Sequence, residues 1–304
     1  MSNRITQGML SGSTLTDISS SLAAMQRSAS QLSSGKMIQQ PSDNPYGASR
    51  AIGLQSELDG LSSYASNVQD GTSWTQTAST SLSSINSVVQ RVRELVVQAS
   101  NGVNNKGDLA DIAEEVDQLT ATVKDDANAQ YAGQYVFSGT LTNTEPYPPG
   151  ASDAYQGNTG TVARSIAPGA SLAINTDISG LLGNGQTPGD GKLLDVLRTV
   201  SQDLRSGSTA SLNSLSGADL RNLDTNLDSL STLQAKVGAV TNQLQVAGSR
   251  ILDLQNTTAQ TLSNTQDTDI AATSIKYSNQ QAAYQAALRA GANIVQMSLL
   301  NFLQ

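Results

Sequence analysis

Leu54, Leu58, Leu61, Ala65, Val68, Thr72, Thr75, Ser79 and Leu82 recur at spacings of four and three through LQSELDGLSSYASNVQDGTSWTQTASTSL, residues 54 to 82. Ile85, Val89, Val92, Val96 and Ala99 carry the pattern on. Such spacing puts every marked residue on one stripe of a helix, and it predicts a heptad seam of about 45 residues, roughly 70 Å long. Asn101-Gly102 ends it, and Leu109, Ile112, Val116, Leu119 and Val123 predict a shorter amphipathic helix after a cap at Asp108. All seven prolines lie at 41, 45, 146, 148, 149, 168 and 188, so the proline-free stretches 46 to 145 and 189 to 304 are open to long helices.

The second stretch repeats the pattern. Leu193, Leu197, Val200 and Leu204 precede a Gly/Ser break at 206 to 217, and a long stripe then runs through Leu220, Leu223, Leu227, Leu230, Leu233, Val237, Val240, Leu244, Ala247, Ile251 and Leu254. Both seams hold a three-then-three step, Ser79-Leu82-Ile85 and Leu227-Leu230-Leu233, which predicts a local phase shift that lies level if the helices are antiparallel. Between them, Tyr135-Val136-Phe137, Thr161-Val162-Ala163 and Leu172-Ala173-Ile174 stand among Pro, Gly, Thr and Asn, the mark of short strands joined by turns. This insertion shares no heptad seam with the helices, so it is expected to add little to their stability.

The two ends form a third part. Leu15, Ile18, Leu22, Met25, Ala29 and Leu32 keep three/four spacing, and Tyr284, Leu288, Ala292, Val295, Leu299 and Phe302 mark a stripe near the end of the chain. Of these, Leu15, Ile18, Leu22, Met25, Leu32, Tyr284, Leu288, Val295, Leu299 and Phe302 are the candidate assembly-interface residues. The expected fold is mainly α: a long antiparallel helical rod or coiled coil built from both chain ends, with a small β-rich insertion. Its expected domains are 1–45 plus 266–304 for assembly, 46–135 plus 192–265 as a central helical bundle, and 136–191 as the insertion. In a free monomer, order is expected from about residue 48 to 265, because a short helix pair with few large apolar residues buries little surface alone.

Composition narrows the function. Ser, Thr, Asn and Gln total 116 of 304 residues, while charged residues make up only 14%. With no His and no Cys, thiolate, zinc and triad chemistry have no carriers. The net charge of -8 argues against nucleic acid as a partner. Leu22 to Met25 is the longest apolar run, too short for a spanning helix or a Sec-type signal core, so no membrane association is expected. Residues 1–50 and 270–304 each sum to +2 and 51–269 to -12, so the ends are weakly charged, which fits helices packed among copies of themselves and equally a drift in composition.

Residues that might carry chemistry read more simply as structure. The Gly180 to Lys192 stretch lacks the spacing of a phosphate loop, having Gln186 where a Gly is needed and Leu193 after the Lys. Glu114/Glu115 and Asp125/Asp126 fit a solvated helix face, Asp267 and Asp269 a capping or linker role, and Trp74 packing. No cofactor, metal or catalytic residue is expected, and the chain is not expected to be an enzyme.

Arg4-Ile5-Thr6, Leu32-Ser33-Ser34-Gly35-Lys36 and Pro41-Ser42-Asp43-Asn44-Pro45 resemble the N-terminal region of bacterial flagellins and hook-associated proteins. Asp269-Ile270-Ala271, Gln280 to Leu288 and Ser298 to Leu303 are similar to the matching C-terminal region. Pro41 to Pro45, Tyr135 to Thr140 leading to Pro146-Tyr147, and the terminal Leu-Leu-Asn-Phe-Leu look more like the third hook-associated, or junction, branch than like flagellin. The resemblance implies an extracellular structural subunit of the flagellum, exported by the flagellar type III apparatus without a cleaved signal, that joins the hook-side junction protein to the filament. Implied partners are a FlgK-type hook-associated protein, flagellin, copies of the same chain and a flagellar export chaperone. A short flagellin that forms the filament itself is the alternative, and a secreted adhesin or enzyme working through the insertion is a third reading for which no convergent polar residues can be named.

Overall fold

The structure, a computed structural model, describes residues 7–101, 104–150, 152–185 and 189–302, and the side chains of 9, 12–101 and, apart from those gaps, through 292. Its elements are α1 (Gln7–Ser34), α2 (Pro45–Ser100), α3 (Lys106–Ala127), β1 (Gln130–Tyr131), β2 (Gln134–Tyr135), β3 (Ala163–Ala167), β4 (Ala170–Ala173), α4 (Ser179–Leu182), α5 (Leu193–Ser206), α6 (Thr209–Ser214), a π-turn (Leu215–Asp219), α7 (Leu220–Gln266) and α8 (Ile270–Phe302). The fold is mainly α, with long helices from both ends and two small antiparallel sheets, β1-β2 and β3-β4. Two compact units form, Met1–Gly60 with Leu254–Gln304, and Leu61–Asp253.

In the second unit α2 and α7 run antiparallel. Val68 meets Gly248, Gly71 meets Leu244, the Gln234 side chain donates to the Leu82 carbonyl at 3.2 Å, and Arg93 pairs with Asp224 at 2.7 Å. The paired numbers sum to 315 to 317 throughout, so one register holds along the length. The phase shifts read from the sequence are absent. In the second unit one stripe of buried positions along α2 is Leu61, Val68, Gly71, Thr75, Ala78, Leu82, Ile85, Val89, Val92, Val96 and Ala99, with Trp74, Ser81 and Leu95 buried beside it, and along α7 the buried positions are Leu223, Asn226, Leu230, Val237, Leu244 and Ile251. Gly71 and Ala78, not Thr72 and Ser79, hold the α2 seam, and Asn226 stands in place of the expected Leu227. Small residues carry little hydrophobic signal and escape a stripe search, yet a small residue lets a neighbour approach: a Cβ at Gly71 would lie 3.2 Å from both Leu244 and Ile174. Asn226 is tolerated inside because its amide donates to the carbonyls of Gly191 and Asn222.

Helices α3 and α5 pack together and flank this pair, with Arg91 bound to Glu115 and Arg205 to Glu114 and Asp117. The cap of α3 is Asn105, whose side chain accepts from Gly107 and Asp108, while the Asp108 carboxylate accepts from the Asn105 N–H in a capping box. The expected cap at Asp108 is thus three residues late.

The 136–191 segment is not a loosely attached module. Phe137, Tyr147, Ile174, Ile178, Leu181 and Leu182 share one buried core with Trp74, Leu82 and Leu197. Arg164 of β3 bonds Asp70 of α2 at 2.6 Å, and Asn67 donates to the Ser165 carbonyl. Val136 and Phe137 are not strand residues: the β1-β2 hairpin turns at Ala132-Gly133, both with positive φ, and the chain leaves it at Tyr135 to bury both side chains in irregular structure. The loop before α5 is pinned by Gly185, where a Cβ would come 2.4 Å from the Asp153 carbonyl.

In the first unit α1 and α8 form an antiparallel pair. Lys36 bridges Asp267, Thr268 donates to the Gly35 carbonyl, and Gly291 sits so near Ile18 that its Cβ would lie 3.1 Å from Ile18 Cδ1. The Pro41 to Pro45 run makes a closed turn: the Asp43 carboxylate accepts the N–H groups of Gln39 and Gln40, which hold it below the usual carboxylate range, and Asn44 caps α2 through the Gly47 N–H. Asp269 caps α8 by accepting from Ala272, the capping role read from the sequence.

Candidate assembly interface

The stripe at each chain end divides into an inner and an outer set. Ile18, Leu22, Met25 and Leu32 on α1 and Tyr284 on α8 are half-buried, and Ile18 is the one set against α8 at Gly291. Leu22 and Leu288 fall about level in that register. Leu15 is 66% exposed and Leu288 44%. The side chains of Val295, Leu299 and Phe302 lie outside the described residues, as do Arg4-Ile5-Thr6.

Sequence reading misses a further set in the same unit. Met9, Tyr46, Ile52, Ile270 and Ile275 are 63–76% exposed. A stripe search selects residues that keep one face, which is the face a helix turns toward its partner in the pair. Residues that serve an outer contact fall off that stripe, and the signal that could find them is a large aliphatic side chain out of phase on a weakly charged helix.

The contrast between units is large. Among the described residues the first unit buries only Ile38, Ala48 and Ala51 as hydrophobics, alongside Ser28, Thr258 and Thr273, whereas the second buries a continuous core that includes Trp74, Phe137 and Tyr147. Large exposed apolar side chains are more numerous on the first unit, although Val97, Leu141, Val246 and Leu252 of the second are exposed as well.

The polar groups elsewhere have structural roles. Lys124 and Asp153, both under 10% exposed, pair at 2.7 Å, and the Lys124 ammonium also donates to the carbonyls of Gly150 and Ser152, with Arg198 closing on the other Asp153 oxygen. All three Lys124 ammonium protons are used, which ties Gly150, Ser152 and Asp153 to α3. Tyr147 donates to the Gly183 carbonyl at 2.7 Å, and burial pushes its phenol far above the usual range. Glu114 and Glu115 pair with arginines on the surface, as a solvated face implies, but Asp126 is half-buried and its burial raises it. No described helix is long and apolar enough to cross a membrane.

The bacterial flagellin N-terminal helical region matches residues 5–142, and the C-terminal helical region matches 220–303. The chain belongs to the flagellin family. Flagellar hook-associated protein 3 of Escherichia coli K12 is 26% identical over 97% of this chain and 98% of its own length. Flagellin of Bacillus subtilis 168 is 29% identical over 80% of each. Among solved structures, Bacillus cereus FlgL matches at TM-score 0.58 with 21% identity over 69% of this chain and 99% of its own, and the flagellar junction protein FlgL from Legionella pneumophila at 0.59 with 16% identity over 72% and 100%. This is a family of structural flagellar proteins, and a structural flagellar role follows for the chain.

Proposed function

We propose that this flagellin-family chain is the subunit that joins the hook-side junction protein to the filament, with its terminal helices, 1–45 and 266–304, as the assembly domain. The observation that carries the assembly reading is the first unit's poverty of core beside the exposed Met9, Leu15, Ile270, Ile275 and Leu288 of the terminal helices. Copies of the same chain, a FlgK-type hook-associated protein and flagellin would cover these side chains, and an export chaperone would shield them before type III secretion. The central helices, 46–135 plus 192–265, serve as the supporting bundle and 136–191 faces outward from them. The choice of junction over filament subunit is supported by the near end-to-end match to hook-associated protein 3, whereas Escherichia coli flagellin, although 36% identical, matches 46% of this chain and 27% of its own length.

A short flagellin is the second reading, favoured by the 29% identity to the Bacillus subtilis protein. Electron microscopy of the purified, concentrated protein separates the two. A junction subunit gives short oligomers or none without its neighbours, and long filaments from the chain alone would make it a flagellin.

A further inference from the structure

The π-turn Leu215–Asp219 stands between two ordinary helical stretches, with Ser214 and Leu220 on either side in right-handed helical geometry. A π-turn has poorer hydrogen bonding than an α-helix and persists only where something holds its extra residue. Ser211, Leu215, Asp219 and Leu223 are all buried at steps of four. In an unbroken α-helix each such step rotates about 40° off a common face, and the longer repeat of the π-turn takes up that drift. No proline forces the turn, and Gly217 has open space around it. What the turn does is keep the carboxyl of Asp219 inside, 4% exposed, with Oδ2 buried and without a hydrogen-bond partner.

The elements packed on the turn are α5 and α6. Helix α6 has no titratable residue. From α5 the group that faces Asp219 is Asp203, while Arg205 is engaged by Glu114 and Asp117 of α3. On α7, Asp224 is taken by Arg93 of α2. A second carboxyl beside a buried one disfavours the ionised form of the buried group. Burial first, then the charge and hydrogen bond of Asp203, push Asp219 up to about 6.

We propose that this turn is a proton-controlled latch at the head of α7. When Asp219 holds its proton, it stays inside and the π-turn is retained. When the proton leaves to solvent, the ionised Asp219 swings to water, the segment relaxes by one residue toward the α-helical repeat, and the half-buried Leu220 takes the inward position. The ratio of the two forms changes roughly a hundredfold between pH 5 and pH 7, because one group titrates.

Hydrogen exchange of the full chain, read by mass spectrometry on peptides spanning 208–224 and corrected for the intrinsic effect of pH, tests this. The expected result is protection about tenfold or more lower at pH 7.5 than at pH 5, with peptides of α3 unchanged. In Asp219→Asn, whose amide stays neutral, protection is expected to be the same at both values. Equal protection of the wild-type peptides at the two pH values overturns the proposal, as does a wild-type pH response in Asp219→Asn. If that variant does not fold, Asp203→Asn serves: removing the like charge is expected to move the exchange transition to lower pH, and an unmoved transition overturns the latch.

Discussion

Asp219 shows how one side chain ties stability to pH. Its folded value, about 6, lies above the ordinary 3.8, so its contribution is fully present below pH 3.8 and is lost as pH rises through 6. The limit of that loss is about 3 kcal/mol, from two pH units at 1.36 kcal/mol each. Half-buried Asp126, raised by its own burial, acts in the same direction. Urea melts of wild type and Asp219→Asn at pH 4, 5.5 and 7 should therefore diverge, the variant gaining on wild type as pH rises, and a constant difference would remove Asp219 from the account. Lys124 is the opposite kind of residue, a buried cation whose three protons all have acceptors. Lys124→Ala leaves Asp153 buried with Arg198 alone, and about 2–4 kcal/mol of unfolding free energy should go, measured by the same melts. Sequence alone could not mark Lys124, since a lysine on an amphipathic helix normally reaches water. Trp74 is legible as packing, and it is completely buried with its ring edge-on to Tyr131.

At the scale of elements, the helices are legible in the sequence and their phase is not. Leucine spacing reveals α2, α3, α5 and α7, because aliphatic stripes survive in any context. The phase shifts inferred at Leu82 and Leu230 come from taking Ser79 and Leu227 as seam positions, and the true seam runs through Gly71, Ala78 and Asn226. Two glycines test that seam. Gly238→Ala has open space and should stabilise by about 0.5–1 kcal/mol through helix propensity, whereas Gly71→Val meets Leu244 and Ile174 and should cost about 1–3 kcal/mol. Equal effects of the two in urea melts would mean that α7 does not approach α2 at Gly71. The insertion is hard to judge for a related reason: its Gly/Pro-rich spacing hides the isolated Tyr147, Ile174, Ile178, Leu181 and Leu182, which all reach the core. Replacing 141–188 by a Gly/Ser linker should lower the stability of the second unit by several kcal/mol and shift the emission of Trp74, the single tryptophan, to the red. An unchanged melt would make the insertion independent of the helices.

For the whole molecule, weakly charged ends, long seams and a turn-rich middle are legible in the sequence, and the family match at 5–142 and 220–303 bears out the resemblance read from the ends. The outward apolar residues of the first unit are not legible in this way, since a stripe reports the partner within the chain and not the partner beyond it. Limited proteolysis of dilute monomer should cut within 1–40 and 270–304 well before the second unit, because so little of the first unit is buried, and equal resistance would show that the ends do not wait for assembly to fold.

The central claim is that these exposed side chains are covered in the assembled flagellum. Ile275→Asp and Leu288→Asp put a carboxylate where the monomer already meets water, so the melt of the purified protein should not move. In cells whose own copy is replaced by either variant, the measurement is the number of filaments held on hooks in electron micrographs, set against the amount of variant exported. The account predicts normal export with filaments lost from the hooks, since the interface would bury an unpaired charge. Variants that are exported and still hold filaments in wild-type numbers would contradict it.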